Sequence, residues 1–249
     1  MSRISIEIVP RTEEQLRLSL EILKGHTDNF DIINIPDLLR FPTRSWEACK
    51  ISQEYFPVAI PHLRAIDFDA SQKFPLIDYI KKNNMNELLI IKGDQPVSDD
   101  VITYKTTSID LIKAIRKELP EATIYGAIDQ YRAETIEAEL NFMHQKIANG
   151  FDGFFTNPFF NFEELKEYGN ALKGQNVYFG ISPVISEPSK RYWENVNKIT
   201  FPVDFEPTLQ WNVDFARKVI KYCKEQDFNI YLMPIKIDLD DYLTQIFAN

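Results

Sequence analysis

Cysteine is nearly absent from this chain. Two occur among 249 residues, Cys49 and Cys223, and neither belongs to a CxxC or Cys/His spacing that could hold zinc or an iron–sulfur cluster. A reducing compartment fits such usage. Cys223 falls in step with Ala216, Val219 and Ile220 and reads as the apolar face of a helix, so no motif argues for thiol catalysis. Glycine is also scarce, with 8 residues, and the first apolar run is followed by Pro10-Arg11-Thr12, not by the Gly-rich turn that opens a doubly wound nucleotide-binding sheet. Positive charge is short: 28 Lys and Arg stand against 37 Asp and Glu, so the net charge of −9 repels polyanions and leaves no footprint for nucleic acid. No apolar run reaches the roughly 18 residues of a membrane span, and Met1 to Val9 lacks the apolar core and cleavage site of a secretory signal. The expectation is a soluble, cytoplasmic protein acting on small molecules.

What is present is an alternation. Runs of strand length and β character occur at Ile4 to Val9, Phe30 to Ile35, Pro57 to Pro61, Glu87 to Ile91, Ala122 to Ile128, Gly153 to Thr156, Val177 to Ile181 and Asn229 to Met233. Helix-period stretches separate them. Thr12 with Gln15 resembles a capping box ahead of Leu16, Leu20 and Leu23. A helix from about Arg132 to Ala148 places Ile136, Leu140, Met143 and Ile147 on one stripe and closes at Asn149-Gly150. Ile112, Ile115 and Leu119 follow a cap at Ser108, and another helix spans Trp211 to Lys224. Eight strands alternating with helices, without hairpin turns, require parallel pairing through crossovers. The chain therefore reads as one domain over 1–249, an α/β fold of the (β/α)8 TIM-barrel type. The stretch from Ile185 to Asp227 exceeds one crossover and calls for an extra helix or long loop between strands seven and eight.

In such a barrel the chemistry sits at the carboxyl ends of the strands. The polar residues there are Glu7; Asn34 and Asp37; His62 and Arg64; Lys92 and Asp94; Asp129 and Gln130; Asn157; and Ser182. Glu7 interrupts Ile4, Ile6 and Ile8. Facing the helices it would be a buried unpaired carboxylate, whereas facing the mouth it could hold a raised pKa and act as a general acid. Lys92-Gly93-Asp94 reads equally as a salt-bridged turn or as a close backbone approach to a ligand. A Schiff-base role for Lys92 is disfavoured, because Asp94 beside it favours the charged ammonium. His62 reads as a proton shuttle, a ligand contact or a structural imidazole; His26 belongs to a helix end and His144 to a helix surface.

With these positions in place, the chain resembles the methylenetetrahydrofolate reductase family along nearly its whole length. Ser5-Ile6-Glu7-Ile8-Val9-Pro10-Arg11-Thr12 is similar to the family's Phe-Glu-Phe-Phe-Pro-Pro strand, Ile60-Pro61-His62-Leu63 to its Pro-His-Leu strand, and Ile91-Lys92-Gly93-Asp94-Gln95-Pro96 to its Arg-Gly-Asp-x-Pro step. Lys146-Ile147-Ala148-Asn149-Gly150-Phe151-Asp152, Phe155-Thr156-Asn157-Pro158-Phe159-Phe160 and Gly180-Ile181-Ser182-Pro183-Val184 follow in the family's order. The resemblance implies reduction of 5,10-methylenetetrahydrofolate to 5-methyltetrahydrofolate through bound FAD, with NADH or NADPH as donor. It implies Glu7 as general acid and Asp94 as a catalytic neighbour of both flavin and folate. His62, Lys92, Gly93, Asp94, Glu139 and Lys146 then match cofactor-binding positions, with Glu139 in the place of a family Asp, and Asn157 matches the amide that meets folate.

The departures are local. Ile128-Asp129-Gln130-Tyr131-Arg132 replaces a Tyr-Pro and His-Pro segment; Lys92 replaces Arg and loses its planar fork; Asn157 replaces Gln; and Ile35-Pro36-Asp37-Leu38-Leu39 lacks a Thr-containing loop. They leave two alternatives. One is a flavin-free homologue that binds folate, for direct nicotinamide reduction or methyl transfer; the other is a non-catalytic barrel subunit docked on a partner. A homo-oligomer is compatible with either.

Overall fold

The computed structural model describes residues 2–96, 100–132 and 135–248. Its strands are β1 (Ile4–Glu7), β2 (Ile32–Ile35), β3 (Val58–Arg64), β4 (Glu87–Ile91), β5 (Thr123–Ile128), β6 (Gly153–Pro158), β7 (Val177–Ile181) and β8 (Asn229–Leu232). They pair in sequence order, all parallel, and β1 closes on β8. The helices are α1 (Glu13–Lys24), α2 (Ser45–Ser52), α3 (Ile77–Lys82), α4 (Ser108–Glu118), α5 (Ile136–Ala148), α6 (Phe162–Ala171), α7 (Glu187–Val196), α8 (Leu209–Glu225) and α9 (Leu239–Phe247). This is the (β/α)8 barrel expected from the alternation, with α7 as the extra helix between β7 and β8.

The strand alternation sorts side chains into two layers. Ile4, Ile6 and Ile8 pack outward with the helix faces, including Leu16, Leu20 and Leu23 of α1. Ser5 lies in register with Ile32 and Tyr231, which belong to the barrel interior together with Ile60, Leu89, Tyr125, Phe155, Tyr178 and Met233. At the amino-terminal floor Arg3 holds Glu87 through two hydrogen bonds of 2.9 and 2.8 Å, and the Tyr125 hydroxyl donates to the same carboxylate. The interior is thus a filled core closed below by an ion pair. Side chains at the upper strand ends have rigid footing.

Three local expectations are corrected. The α4 cap is Thr107, not Ser108: the Thr107 hydroxyl accepts from the Asp110 N–H while the Asp110 carboxylate accepts from the Thr107 N–H. Thr107 has the extended backbone that a cap needs, and Ser108 is already helical. On α5 the buried positions are Glu139, Met143 and Lys146, whereas Ile147 is exposed and Ile136 and Leu140 are half-buried. The helix begins at the Thr135 cap, short of the expected start near Arg132; Ala133 and Glu134 lie outside the described residues. The helix α7 buries no residue fully. The segment after it is anchored by an aromatic cluster in which Phe201 lies 4.8 Å from Phe160 and 4.1 Å from Phe205, and Phe205 4.6 Å from Trp211.

Candidate functional site

Glu7 faces the barrel axis, because it shares the parity of Ser5. It ends β1 opposite Asn34 of β2 and is half-buried. Its Oε2 accepts a short hydrogen bond from the Tyr231 hydroxyl of β8. Desolvation drives its pKa up from 4.5 to about 7, against the Tyr231 hydrogen bond, which lowers it. No cation among the described residues forms an ion pair with it. A carboxyl near half-protonation at neutral pH is what general acid catalysis requires.

Beside it a polar wall crosses three strands. Asn34 donates from Nδ2 to Ser5 Oγ at 3.3 Å, and its Oδ1 accepts from His62 Nε2 at 2.5 Å. The His62 backbone N–H donates to Ser45 Oγ at 2.8 Å. Burial lowers the His62 pKa to about 3, so the ring is neutral at physiological pH. Of the readings open for His62, these contacts match a hydrogen-bonded imidazole that braces β3 against β2. Behind the wall Arg44 binds Asp37 at 2.5 Å and Asp67 at 2.8 Å, and the Asp37 carboxylate accepts from the Ser45 N–H at 3.1 Å.

An open cleft of about 1500 Å3 runs over the ends of β3, β4 and β5 towards α4 and α5. Lys92, Gly93, Asp94, Glu139, Lys146 and Asn157 line it; Glu7 and His62 do not. Lys92 and Asp94 are exposed and form no ion pair with each other, so the salt-bridged turn does not occur. Gly93 instead sits against Arg64. It has φ of +86°, and a Cβ there would lie 2.9 Å from both Arg64 Cβ and Arg64 Nε. Arg64 is 6% exposed and donates from Nη2 to the Asp94 carbonyl, which makes the floor of this turn. Gly93→Ala is expected to cost about 2 kcal/mol or more, from left-handed strain plus the clash, and to weaken ligand binding in the cleft. Chemical denaturation together with ligand titration measures both.

The far wall is spoken for by the fold. Lys146 donates from Nζ to the Ala127 carbonyl and lies 4.4 Å from the Phe142 ring, and burial lowers its pKa. Glu139 accepts from the Asp129 N–H at 3.1 Å, and burial raises its pKa. Asn157 is exposed and donates to Asp129 Oδ1 at 2.8 Å. In the departing loop Gln130 Nε2 and Tyr131 Oη both donate, at 2.8 Å, to the carbonyls of Asn157 and Pro158 respectively. That loop closes on the β6 end and presents Asp129, and through it Arg132, to the cleft.

The lining suits a ligand with both an apolar ring and negative charge. Ile66, Ile91, Val101, Tyr104 and Phe142 supply apolar surface, and Lys92 and Lys105 form no ion pair among the described residues. Apolar surface beside two lysines is the lining that a flavin dinucleotide would need for its ring and phosphates. Among the described residues no helix is long and apolar enough to cross a membrane and no His, Cys, Asp and Glu cluster could hold a metal. Tyr231 is the functional neighbour that sequence reasoning missed; its one signal is its place at an inward position of β8, two residues before Met233.

The profile of the methylenetetrahydrofolate reductase family matches residues 40–221. Among solved structures, an uncharacterized protein from Clostridium thermocellum that binds two copies of 5-methyl-5,6,7,8-tetrahydrofolic acid superposes with a TM-score of 0.66 at 16% identity, covering 98% of this chain and 94% of that one. Orotidine 5'-phosphate decarboxylase from Pyrococcus horikoshii superposes at 0.54 with 9% identity, over 99% and 100% of the two chains. These likenesses show the fold. The RNA polymerase-associated protein RapA of Actinobacillus pleuropneumoniae is 22% identical over 178 residues, which is 69% of this chain but only 17% of that protein's length.

Proposed function

Because the chain belongs to the methylenetetrahydrofolate reductase family, we propose that its barrel mouth takes 5,10-methylenetetrahydrofolate and reduces it to 5-methyltetrahydrofolate, using bound FAD and NADH or NADPH. The observation that carries this reading is Glu7, an axis-facing carboxyl at a strand end with its pKa near 7. Opening the methylene bridge leaves a nitrogen that must gain a proton, and a half-protonated carboxyl in a partly desolvated mouth supplies it. FAD, when bound, supplies hydride transfer. Lys92 and Lys105, which line the cleft, would meet its phosphates, and the turn at Gly93, packed on Arg64, would form the floor beneath it. Asp94, exposed at the rim, would meet both ring systems, and the Asn157 amide, steadied by Asp129, would meet the folate. The folate-binding neighbour from Clostridium thermocellum supports the substrate class.

Two measurements on the purified protein test this. Calorimetric titration with 5-methyltetrahydrofolate is expected to give saturable binding, and incubation with FAD is expected to give protein-bound flavin absorbance that bleaches on adding a reduced nicotinamide. Folate binding to a protein that stays colourless would withdraw the flavin and leave direct nicotinamide transfer. Absence of folate binding would overturn the whole reading.

A further inference from the structure

We propose that Tyr231 is the positioning residue for Glu7: its hydroxyl pins Oε2 across the β1–β8 seam and leaves Oε1 as the oxygen that exchanges a proton with the occupant of the mouth.

The geometry is built from below. Tyr231 points inward at the level of Ser5, so its hydroxyl reaches up the seam to Glu7, two residues further along β1. Its ring is held edge-on to Phe155, with centroids 5.0 Å apart and planes at 89°. Phe155 in turn stacks on Tyr178 at 4.2 Å and 7°. Because these rings belong to β6, β7 and β8, the donor rests on the barrel core and not on a loop. Oε1, by contrast, has no hydrogen-bond partner among the described residues and is not sealed by them from solvent. One carboxyl oxygen is therefore fixed and the other left for chemistry.

Among the described residues nothing else competes for this role. From β2 the group opposite Glu7 is the Asn34 amide, which is committed to Ser5 and His62. From β3 the nearest titratable group is His62, neutral as described above. Among the described residues Tyr231 makes the hydrogen bond to Glu7. Burial and the neighbouring carboxylate push the Tyr231 pKa far above the usual phenol value, so it remains a donor at every working pH. A phenol donating to a carboxylate favours the anion more than the neutral acid.

The inference deepens the reading of the mouth as a proton-donating site and rests on it for its kinetic arm only. The test is a titration of the Glu7 carboxyl by 13C NMR in protein labelled at glutamate, with E7Q identifying the resonance. Tyr231→Phe keeps the ring and removes one oxygen, and is expected to raise the midpoint by about one pH unit. A fluorotyrosine at position 231, a stronger donor, is expected to lower it. In turnover, the alkaline limb of the kcat/KM profile should move up with the midpoint in Y231F. A midpoint that stays put or falls in Y231F would overturn the proposal. If the protein shows no turnover of folate, the titration still decides the role of Tyr231, so the two failures are distinct.

Discussion

Glu7→Gln is expected to abolish turnover of 5,10-methylenetetrahydrofolate, by about 10²–10⁴-fold in kcat, while making the folded protein more stable above neutral pH. The first effect follows from loss of the transferable proton. The second follows from linkage. The Glu7 pKa is about 7 in the folded state against 4.5 for the solvated group, so folding favours the protonated form. That stabilising contribution is fully present below pH 4.5 and is lost as pH rises through 7. At pH 8 the native chain carries a desolvated anion at a cost of up to about 3 kcal/mol, which glutamine, of the same shape and uncharged, avoids. The Tm of the variant relative to the native chain should therefore be higher at pH 8 than at pH 5, by about 6 °C. Thermal melts followed by circular dichroism at the two pH values measure it. A Tm difference independent of pH would show a solvated carboxylate and remove the general acid. Retained turnover would point to a different proton source.

Phe155→Ala is the second large effect. Phe155 is 2% exposed inside the barrel, with Tyr125 at 5.1 Å, Tyr178 at 4.2 Å and Tyr231 at 5.0 Å from its ring. Its removal leaves a cavity among three rings whose backbone is held by strand pairing and cannot collapse inward. The expected loss is about 3–5 kcal/mol. Phe155→Leu, which keeps most of the volume, should lose about 1.5 kcal/mol or less. Because the ring also walls Tyr231, the alanine variant should lose more in kcat/KM than its surviving folded fraction accounts for. Urea unfolding midpoints and steady-state kinetics on the same preparations separate the two. A loss below about 1 kcal/mol would mean that the interior is loosely packed.

The barrel was legible because its signals are local. Each strand is a short β run bounded by caps, and Glu87–Ile91 and Val177–Ile181 appear in the sequence with their observed limits. Crossover helices between them exclude hairpins, and closure follows from eight such units. The α5 stripe was misread because period alone ranks Ile147 above Lys146. In the folded chain the Lys146 ammonium lies over the Phe142 ring and reaches the Ala127 carbonyl, so the charged residue turns inward and the isoleucine outward. The partner of Glu7 was invisible for a related reason. In Asn229-Ile230-Tyr231-Leu232-Met233 a tyrosine looks like any β-forming aromatic, and only closure of β8 onto β1 brings its hydroxyl to a residue 224 positions away in the chain.

The sequence by itself determined that Glu7 lies in the first strand on the face opposite Ile4, Ile6 and Ile8, and that Lys92-Gly93-Asp94 follows the fourth. These are consequences of alternation and chain order, which need no knowledge of what lies across the barrel. The tertiary structure alone decided that Glu7 meets Tyr231 and, among the described residues, no cation, that its pKa rises to about 7, and that Gly93 presses on Arg64. It also separated the carboxyl within the barrel from the cleft that the other candidate residues line. Burial and long-range hydrogen bonds set those properties, and both depend on which strands become neighbours when the sheet closes.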